Sequence, residues 1–150
     1  MIIAVASDRA GFQYKEKLRA FLQQKGYETE DVGTYVEEVC DYPLFAEKAA
    51  KLVAKGECAF GILICGSGEG MAIAANKVKG IRCGIAYNDE TAALLREHND
   101  ANMAAFGARF MAYEDVERRT EIFLSTDFAG NYHTNRVGMI RKMENEQYGR

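Results

Sequence analysis

A chain of 150 residues suits a single domain, and a hydrophobic share of 48% supports one substantial core. The formal net charge of -3 gives no electrostatic footprint for nucleic acid or an anionic membrane, and no apolar run approaches the roughly 20 residues needed to span a bilayer. The cysteines Cys40, Cys58, Cys65 and Cys83 form no CxxC pair and the histidines His98 and His133 have no metal-ligand spacing, so free thiols in a reducing cytoplasm, with no metal, are expected.

The opening stretch reads as a strand and not as a secretory signal, because it lacks a basic start and soon carries Asp8 and Arg9. Ile2–Ala6, short and rich in branched residues, predicts a buried strand. A turn at Ser7–Gly11 leads into a helix in which Tyr14, Leu18, Phe21 and Leu22 share one face, ended by Lys25-Gly26. Glu28–Val32 predicts a weaker second strand, closed by Gly33. Asp41-Tyr42-Pro43 opens a second helix with Phe45, Ala49, Leu52 and Val53 on its buried stripe. Proline suits that first turn because its missing N–H would have had no partner there. Ala59–Cys65 is the third strand, and Met71, Ala74, Ala75 and Val78 mark the helix after a glycine loop. Arg82–Tyr87 reads as a fourth strand and Asp89–Glu97 as a helix. A polar turn, His98–Asp100, precedes a fifth strand, Asn102–Phe106. Tyr113–Ser125 and Thr134–Glu146 follow as helices. The last has a thin apolar stripe, Val137 and Ile140, among several charges, which fits either packing on a partner subunit or an ordinary surface helix. Alternating strands and helices imply one α/β domain over residues 1–150, with a parallel sheet covered on both faces.

In an open parallel sheet, ligands bind beyond the carboxyl ends of the strands. That rule gathers Asp8-Arg9, Gly33-Thr34, Cys65–Gly70, Tyr87-Asn88 and Gly107–Arg109 along one edge. The most informative of these is the strand that ends in Cys65 and runs into Gly66-Ser67-Gly68-Glu69-Gly70. A thiol beside backbone N–H groups at a helix N-terminus lies where anions bind and where a thiolate is favoured, so Cys65 is a candidate base or nucleophile as well as a packing thiol. The loop lacks the G-x-G-x-x-G spacing of a dinucleotide site and the lysine of a P-loop. A tight turn is its plainer reading, although it holds more glycines than a turn needs. Glu69 is awkward beside an anion and either faces solvent or helps a neighbouring base. Asp8-Arg9 reads as an ion pair or helix cap, or as a holder of a sugar hydroxyl and a phosphate. Arg109 and Arg136 are phosphate candidates because arginine offers a planar fork of donors.

The segments Ser7-Asp8, Asp31-Val-Gly-Thr34, Asp41-Tyr42-Pro43, Ile64-Cys65-Gly-Ser-Gly68, Ala74-Ala-Asn-Lys77, Gly80-Ile-Arg82, His98-Asn99-Asp100-Ala-Asn102, Phe106-Gly107 with Arg109, and His133 through Arg136-Val137 occur in that order. Together they resemble the ribose-5-phosphate isomerase B family, which includes the galactose-6-phosphate isomerase subunits. The resemblance covers nearly the whole chain. It implies a Rossmann-like three-layer α/β/α sandwich with a five-stranded parallel sheet. It also implies a homodimer or tetramer with sites between subunits, and cofactor-free, metal-free aldose–ketose isomerisation of a phosphorylated sugar. By the same resemblance Cys65 is the base that moves a proton between C1 and C2 through a cis-enediolate. Ser67 and the backbone N–H groups of Gly66, Gly68, Glu69 and Gly70 face the developing oxyanion. Asp8 and His98 serve ring opening, with His98 supplied by the other subunit. Asn99, Tyr42 and His133 hold the substrate, and Arg109 and Arg136 bind its phosphate.

Two positions depart from the family pattern. Its usual Asp-His is Asp8-Arg9, and its usual Gly-Gly-Arg-His is Gly130-Asn131-Tyr132-His133. A phosphate-binding arginine is thus replaced by Tyr132, and Arg9 is expected to supply the lost charge from across the pocket. The expected substrate is ribose 5-phosphate or a related pentose or hexose phosphate. A non-catalytic phosphosugar-binding module is the alternative. Such a module needs phosphate ligands but no base, whereas Cys65, Ser67, Asp8, His98 and Asn99 are all retained.

Overall fold

The computed structural model describes residues 1–149. Five strands, β1 (Ile2–Ser7), β2 (Glu28–Asp31), β3 (Phe60–Cys65), β4 (Cys83–Ile85) and β5 (Met103–Gly107), form one parallel sheet in the order β2-β1-β3-β5-β4. The helices are α1 (Phe12–Gln24), α2 (Tyr42–Ala54), α3 (Glu69–Ala75), α4 (Asp89–Glu97), α5 (Tyr113–Ser125) and α6 (Tyr132–Tyr148). Among the described residues no helix is long and apolar enough to cross a membrane.

Side chains alternate between the two faces of a strand, so a sheet covered on both sides buries both sets. Ala4, Ala6, Leu63 and Cys65 point to one face, where they meet Ala46, Ala49 and Val53 of α2 and Met71, Ala72 and Ala75 of α3. Ile3, Val5, Ile62 and Ile64 point to the other, against Leu18 and Leu22 of α1, Ala92 of α4 and Val116, Phe123 and Leu124 of α5. Small residues line the first face and larger ones the second. Helices α2 and α3 therefore approach closely on the side to which the Cys65 thiol is directed.

The expected elements are all present, with shifts that have local causes. The fourth strand is shorter than Arg82–Tyr87. The Arg82 N–H is taken by Asn102 Oδ1 at 2.9 Å, and its guanidinium donates to the carbonyls of Asn99 and Asp100. At the other end, Asn88 forms a reciprocal capping box with Thr91 that starts α4. Asn102, expected to open the fifth strand, is tied by its side-chain amide to Arg82 and the Gly80 carbonyl, so β5 runs from Met103 to Gly107. The last helix begins at Tyr132 and not at Thr134, straight after Gly130 and Asn131, both at positive φ. It buries only His133 and Val137, and its tail is tethered where the Glu144 carboxylate accepts the Gly80 N–H at 2.7 Å.

The two sheet edges differ. Edge strand β2 reads Glu28-Thr29-Glu30-Asp31, whereas β4 at the far edge reads Cys83-Gly84-Ile85. Asp31 also anchors a buried cation. Lys15 is 1% exposed, with its ammonium 2.8 Å from Asp31 Oδ2 and 2.7 Å from Glu16. Asp31 further accepts the Gly33 N–H at 3.0 Å. The Gly33 carbonyl and Thr34 N–H in turn bond the backbone of Ser7 at 2.8 Å each, which fixes the end of β1 just before Asp8.

Asp31→Ala leaves the buried Lys15 ammonium with only the partly exposed Glu16, whereas Lys15→Met leaves Asp31 with Arg19 at 3.1 Å and the Gly33 N–H. Asp31→Ala is expected to lower unfolding free energy by about 3 kcal/mol and Lys15→Met by about 1 kcal/mol. Urea denaturation of both variants measures the difference.

Candidate active site

Strand β3 delivers Cys65 to the carboxyl edge of the sheet, where the chain must turn at once into α3. Gly68 makes this turn with φ 84°, in the left-handed region where a side chain is strained. Its N–H comes back to donate to the Cys65 sulfur at 3.1 Å. The loop then nests against the end of β5. A Cβ on Gly107 would lie 2.5 Å from the Ser67 carbonyl oxygen, so only glycine allows the approach. Backbone bonds from Ala108 to Cys65 (2.8 Å) and from Arg109 to Gly66 (3.0 Å) clamp it there.

Around this loop lies a cleft of about 430 Å³ lined by Asp8, Tyr42, Cys65, Gly66, Ser67, Glu69, Gly70, Ile73, Arg109 and Phe110. Asp8 uses one carboxylate oxygen to accept the Gly11 N–H at 3.0 Å, which braces the turn into α1, and it also lines the cleft. Tyr42 stands at the start of α2, and its ring covers Gly70, where an added Cβ would fall 2.5 Å from the ring. Arg109 passes over Gly66. Of the loop donors expected at an oxyanion, the Gly68 N–H is occupied by the thiol and the Glu69 N–H by Ser67 Oγ at 3.3 Å. The N–H groups of Gly66, Ser67 and Gly70 have no partner among the described residues.

All four cysteines are free. Burial pushes the Cys83 thiol up to about 12, and burial beside Glu30 and Glu57 pushes Cys58 up as well, so neither offers a thiolate near neutral pH. Cys65 is the thiol that lies in the cleft with a backbone donor on its sulfur.

Eight of the expected residues thus meet: Asp8, Tyr42, Cys65, Gly66, Ser67, Glu69, Gly70 and Arg109. Gly68 is buried beneath the cleft and Arg9 is exposed outside its lining. A second group gathers elsewhere. The His98 and His133 rings stack at 4.1 Å between centroids, 15° from parallel. Tyr132 lies 4.2 Å from His133, and the Arg136 guanidinium sits 4.9 Å over the Tyr132 ring. Burial, His98 and Arg136 together hold the His133 pKa below its ordinary value. Asn99 is exposed beside a separate cavity of about 440 Å³ that it shares with Arg82, Ile140 and Met143.

Topology keeps the two groups apart. Cys65 pairs with Gly107 at the carboxyl end of β5, while His98 caps the C-terminus of α4 just before the amino end of that strand. The strand between them spans roughly 13 Å at 3.3 Å per residue. Neither His98 nor His133 lines the cleft around Cys65.

Ile73 and Phe110 were not singled out by sequence reasoning. They are 63% and 79% exposed, large apolar side chains on the cleft rim. Ile73 lies off the buried stripe of α3, which was the available signal. Together with Ser67 and Glu69 they also line a neighbouring, largely apolar groove of about 840 Å³ that runs along β4.

A family model described as Ribose/Galactose Isomerase matches residues 3–140. Ribose-5-phosphate isomerase B of Escherichia coli (strain K12) is 41% identical over 142 residues, which is 95% of each chain. The solved structure of Clostridium thermocellum ribose-5-phosphate isomerase B superposes with a TM-score of 0.96 at 42% identity, covering 98% of this chain and 99% of that one. The Mycoplasma genitalium ribose-5-phosphate isomerase B, solved with bound ribulose-5-phosphate, gives a TM-score of 0.94 at 35% identity over 97% of both chains.

The steric argument at Gly107 has a built-in control. Gly138, inside α6, has nothing within 4 Å of an added Cβ. Gly107→Ala is expected to cost about 2 kcal/mol from forced displacement of the loop. Gly138→Ala is expected to be neutral or to stabilise by up to about 1 kcal/mol. Thermal melts of the two variants check this.

Proposed function

The chain belongs to the ribose/galactose isomerase family, and from that premise we propose that it interconverts the aldose and ketose forms of a phosphorylated sugar, with ribose 5-phosphate and ribulose 5-phosphate as the leading pair. The observation that carries the reading is the Cys65 thiol, held by the Gly68 N–H on the floor of a cleft that also presents Asp8, Ser67 and Arg109. Isomerisation needs a group that takes a proton from one carbon and returns it to the next. A sulfur held in place by a backbone donor is positioned for such a transfer.

The chemistry divides as follows. A cyclic sugar opens when Asp8 and His98 move a proton between its anomeric hydroxyl and its ring oxygen. Cys65 then removes the proton from C2 of the aldose, and electrons shift to the carbonyl oxygen at C1. The resulting cis-enediolate carries negative charge on oxygen. The unpartnered N–H groups of Gly66, Ser67 and Gly70, with the Ser67 hydroxyl, supply preorganised donors for it. A proton then passes from the C2 hydroxyl to the C1 oxygen, and return of the first proton from Cys65 to C1 leaves a carbonyl at C2, which is the ketose. Tyr42 and Asn99 hold hydroxyls. Arg109, Arg136 and Arg9 are the cations for the phosphate; Arg9 is exposed, and among the described residues its side chain has no ion pair. No step calls for a cofactor or metal.

In this scheme Asp8 and Cys65 belong to one sheet edge and His98, Asn99 and Arg136 to the other. One chain does not join them, so the working site is assembled from two copies of the chain. The last helix, exposed along most of its length, is then free to pack on that partner.

The reading is tested by following ribose 5-phosphate and a panel of other pentose and hexose phosphates, with Cys65→Ala in parallel. Turnover of at least one substrate is expected, and loss of the base should lower kcat by about 10²- to 10⁴-fold. No turnover of any of them overturns the reading. Full activity in Cys65→Ala would remove the thiol from the mechanism. Arg9→Ala is expected to raise KM about tenfold for the phosphorylated sugar and to leave that of the unphosphorylated one nearly unchanged, the size of one charge-assisted contact.

The shared site makes a second prediction. Cys65→Ala and His98→Ala are each expected to be nearly inactive alone. After dissociation and mixing in equal amounts, half the dimers carry one of each chain, and each of these has one intact site. Activity should return to about a quarter of wild type. Absence of any recovery would show that both residues serve the same chain.

A further inference from the structure

The His98–His133 stack has a feature that the isomerase chemistry does not explain. Its two rings stand at opposite ends of two helix dipoles. His98 caps the C-terminus of α4, where the partial negative charge of the last carbonyls favours a cation. His133 is the second residue of α6, where the partial positive charge of the helix start disfavours one. The rings lie face to face at 4.1 Å, and His133 is 8% exposed. Two imidazolium rings this close repel each other. Neither imidazole has an ion pair or a side-chain hydrogen bond among the described residues. Arg136 and Tyr132 on α6 are the other groups that face His133. Glu97 precedes His98 on α4, and its carbonyl accepts the Ala129 N–H. Asp100, two residues beyond His98, is engaged by Arg82, Arg96 and Arg141 at 3.4, 3.0 and 3.6 Å.

We propose that His133 is a positioning residue for His98: the stack fixes the plane of the His98 ring, and the opposed helix ends direct the pair's proton to His98. This rests on the reading that His98 serves ring opening, and it adds a role for His133 other than substrate contact. A ring-opening acid must carry its proton on a ring held at the right angle. His133 supplies the angle by stacking, and the helix start beneath it disfavours a second charge beside His98. The lowered pKa of His133 agrees with this division.

The chain contains only two histidines, and both are in the stack. Imidazole NMR of the intact protein from pH 5 to 8 therefore yields two resolved titrations, which His133→Phe assigns by removing one. On acidification the two titrations are expected to separate, with His133 protonating below the ordinary histidine value of about 6.5. His133→Phe keeps a stacking ring, and His133→Ala does not. Loss of the stack is expected to lower kcat on the order of tenfold with little change in KM, since misplacing a catalytic group costs rate. Phenylalanine should restore kcat to within about threefold of wild type. Two histidines that titrate with one common midpoint overturn the proposal. So does His133→Phe that loses kcat as heavily as His133→Ala. If the protein proves to isomerise nothing, the NMR arm still decides whether the stack directs the proton, so the two failures are told apart.

Discussion

The hydrogen bond from the Gly68 N–H to the Cys65 sulfur depends on a backbone path that few residues permit. The chain must leave β3, reverse through a left-handed residue and lie close enough to β5 that no side chain fits at Gly107. That constraint sets the site. It places the thiol on the cleft floor, spends one loop donor on sulfur and leaves others facing the cleft. It also brings Arg109, two residues past the end of β5, over the loop. Small residues on the Cys65 face of the sheet serve the same end. Ala4, Ala6, Ala46, Ala49, Ala72 and Ala75 let α2 and α3 settle closely enough for Tyr42 to cover Gly70.

Much of this was legible in the sequence. Alternating apolar runs and amphipathic stretches give the parallel α/β fold, and the rule that ligands lie beyond the carboxyl ends of strands gathers Asp8, the cysteine loop and Arg109. What was not legible depends on side chains meeting across the fold. The short β4 and late start of β5 follow from Arg82 and Asn102, twenty residues apart in sequence, satisfying each other's backbone. The position of β5 between β3 and β4 follows from pairing, which no local pattern encodes. Occupation of the Gly68 and Glu69 donors is a matter of angstroms. Ile73 and Phe110 are single exposed apolar residues, and their significance appears only when they stand on one rim.

Where helices return across a parallel sheet, residues after a strand and residues after a helix are sent to opposite edges. Cys65 and Asp8 follow strands; His98 follows α4. Candidate site residues divided in this way cannot be collected by any loop movement within one chain, because the sheet stands between them. In the proposed scheme such a site draws on two copies of the chain, and the histidine stack orients a ring at the edge remote from Cys65.

The contrast between the two sheet edges bears on solubility. An open sheet edge offers unpaired backbone groups to any passing strand, and a chain with two such edges can stack without limit. Here the β2 edge carries Glu28, Glu30 and Asp31, and a second copy laid alongside in parallel would meet carboxylates with carboxylates. The β4 edge has only three residues and no charge. With one edge guarded and the other too short to template a long ladder, edge-to-edge growth has no second direction in which to continue. The two edges together leave no continuous surface on which strand-to-strand pairing between copies could extend.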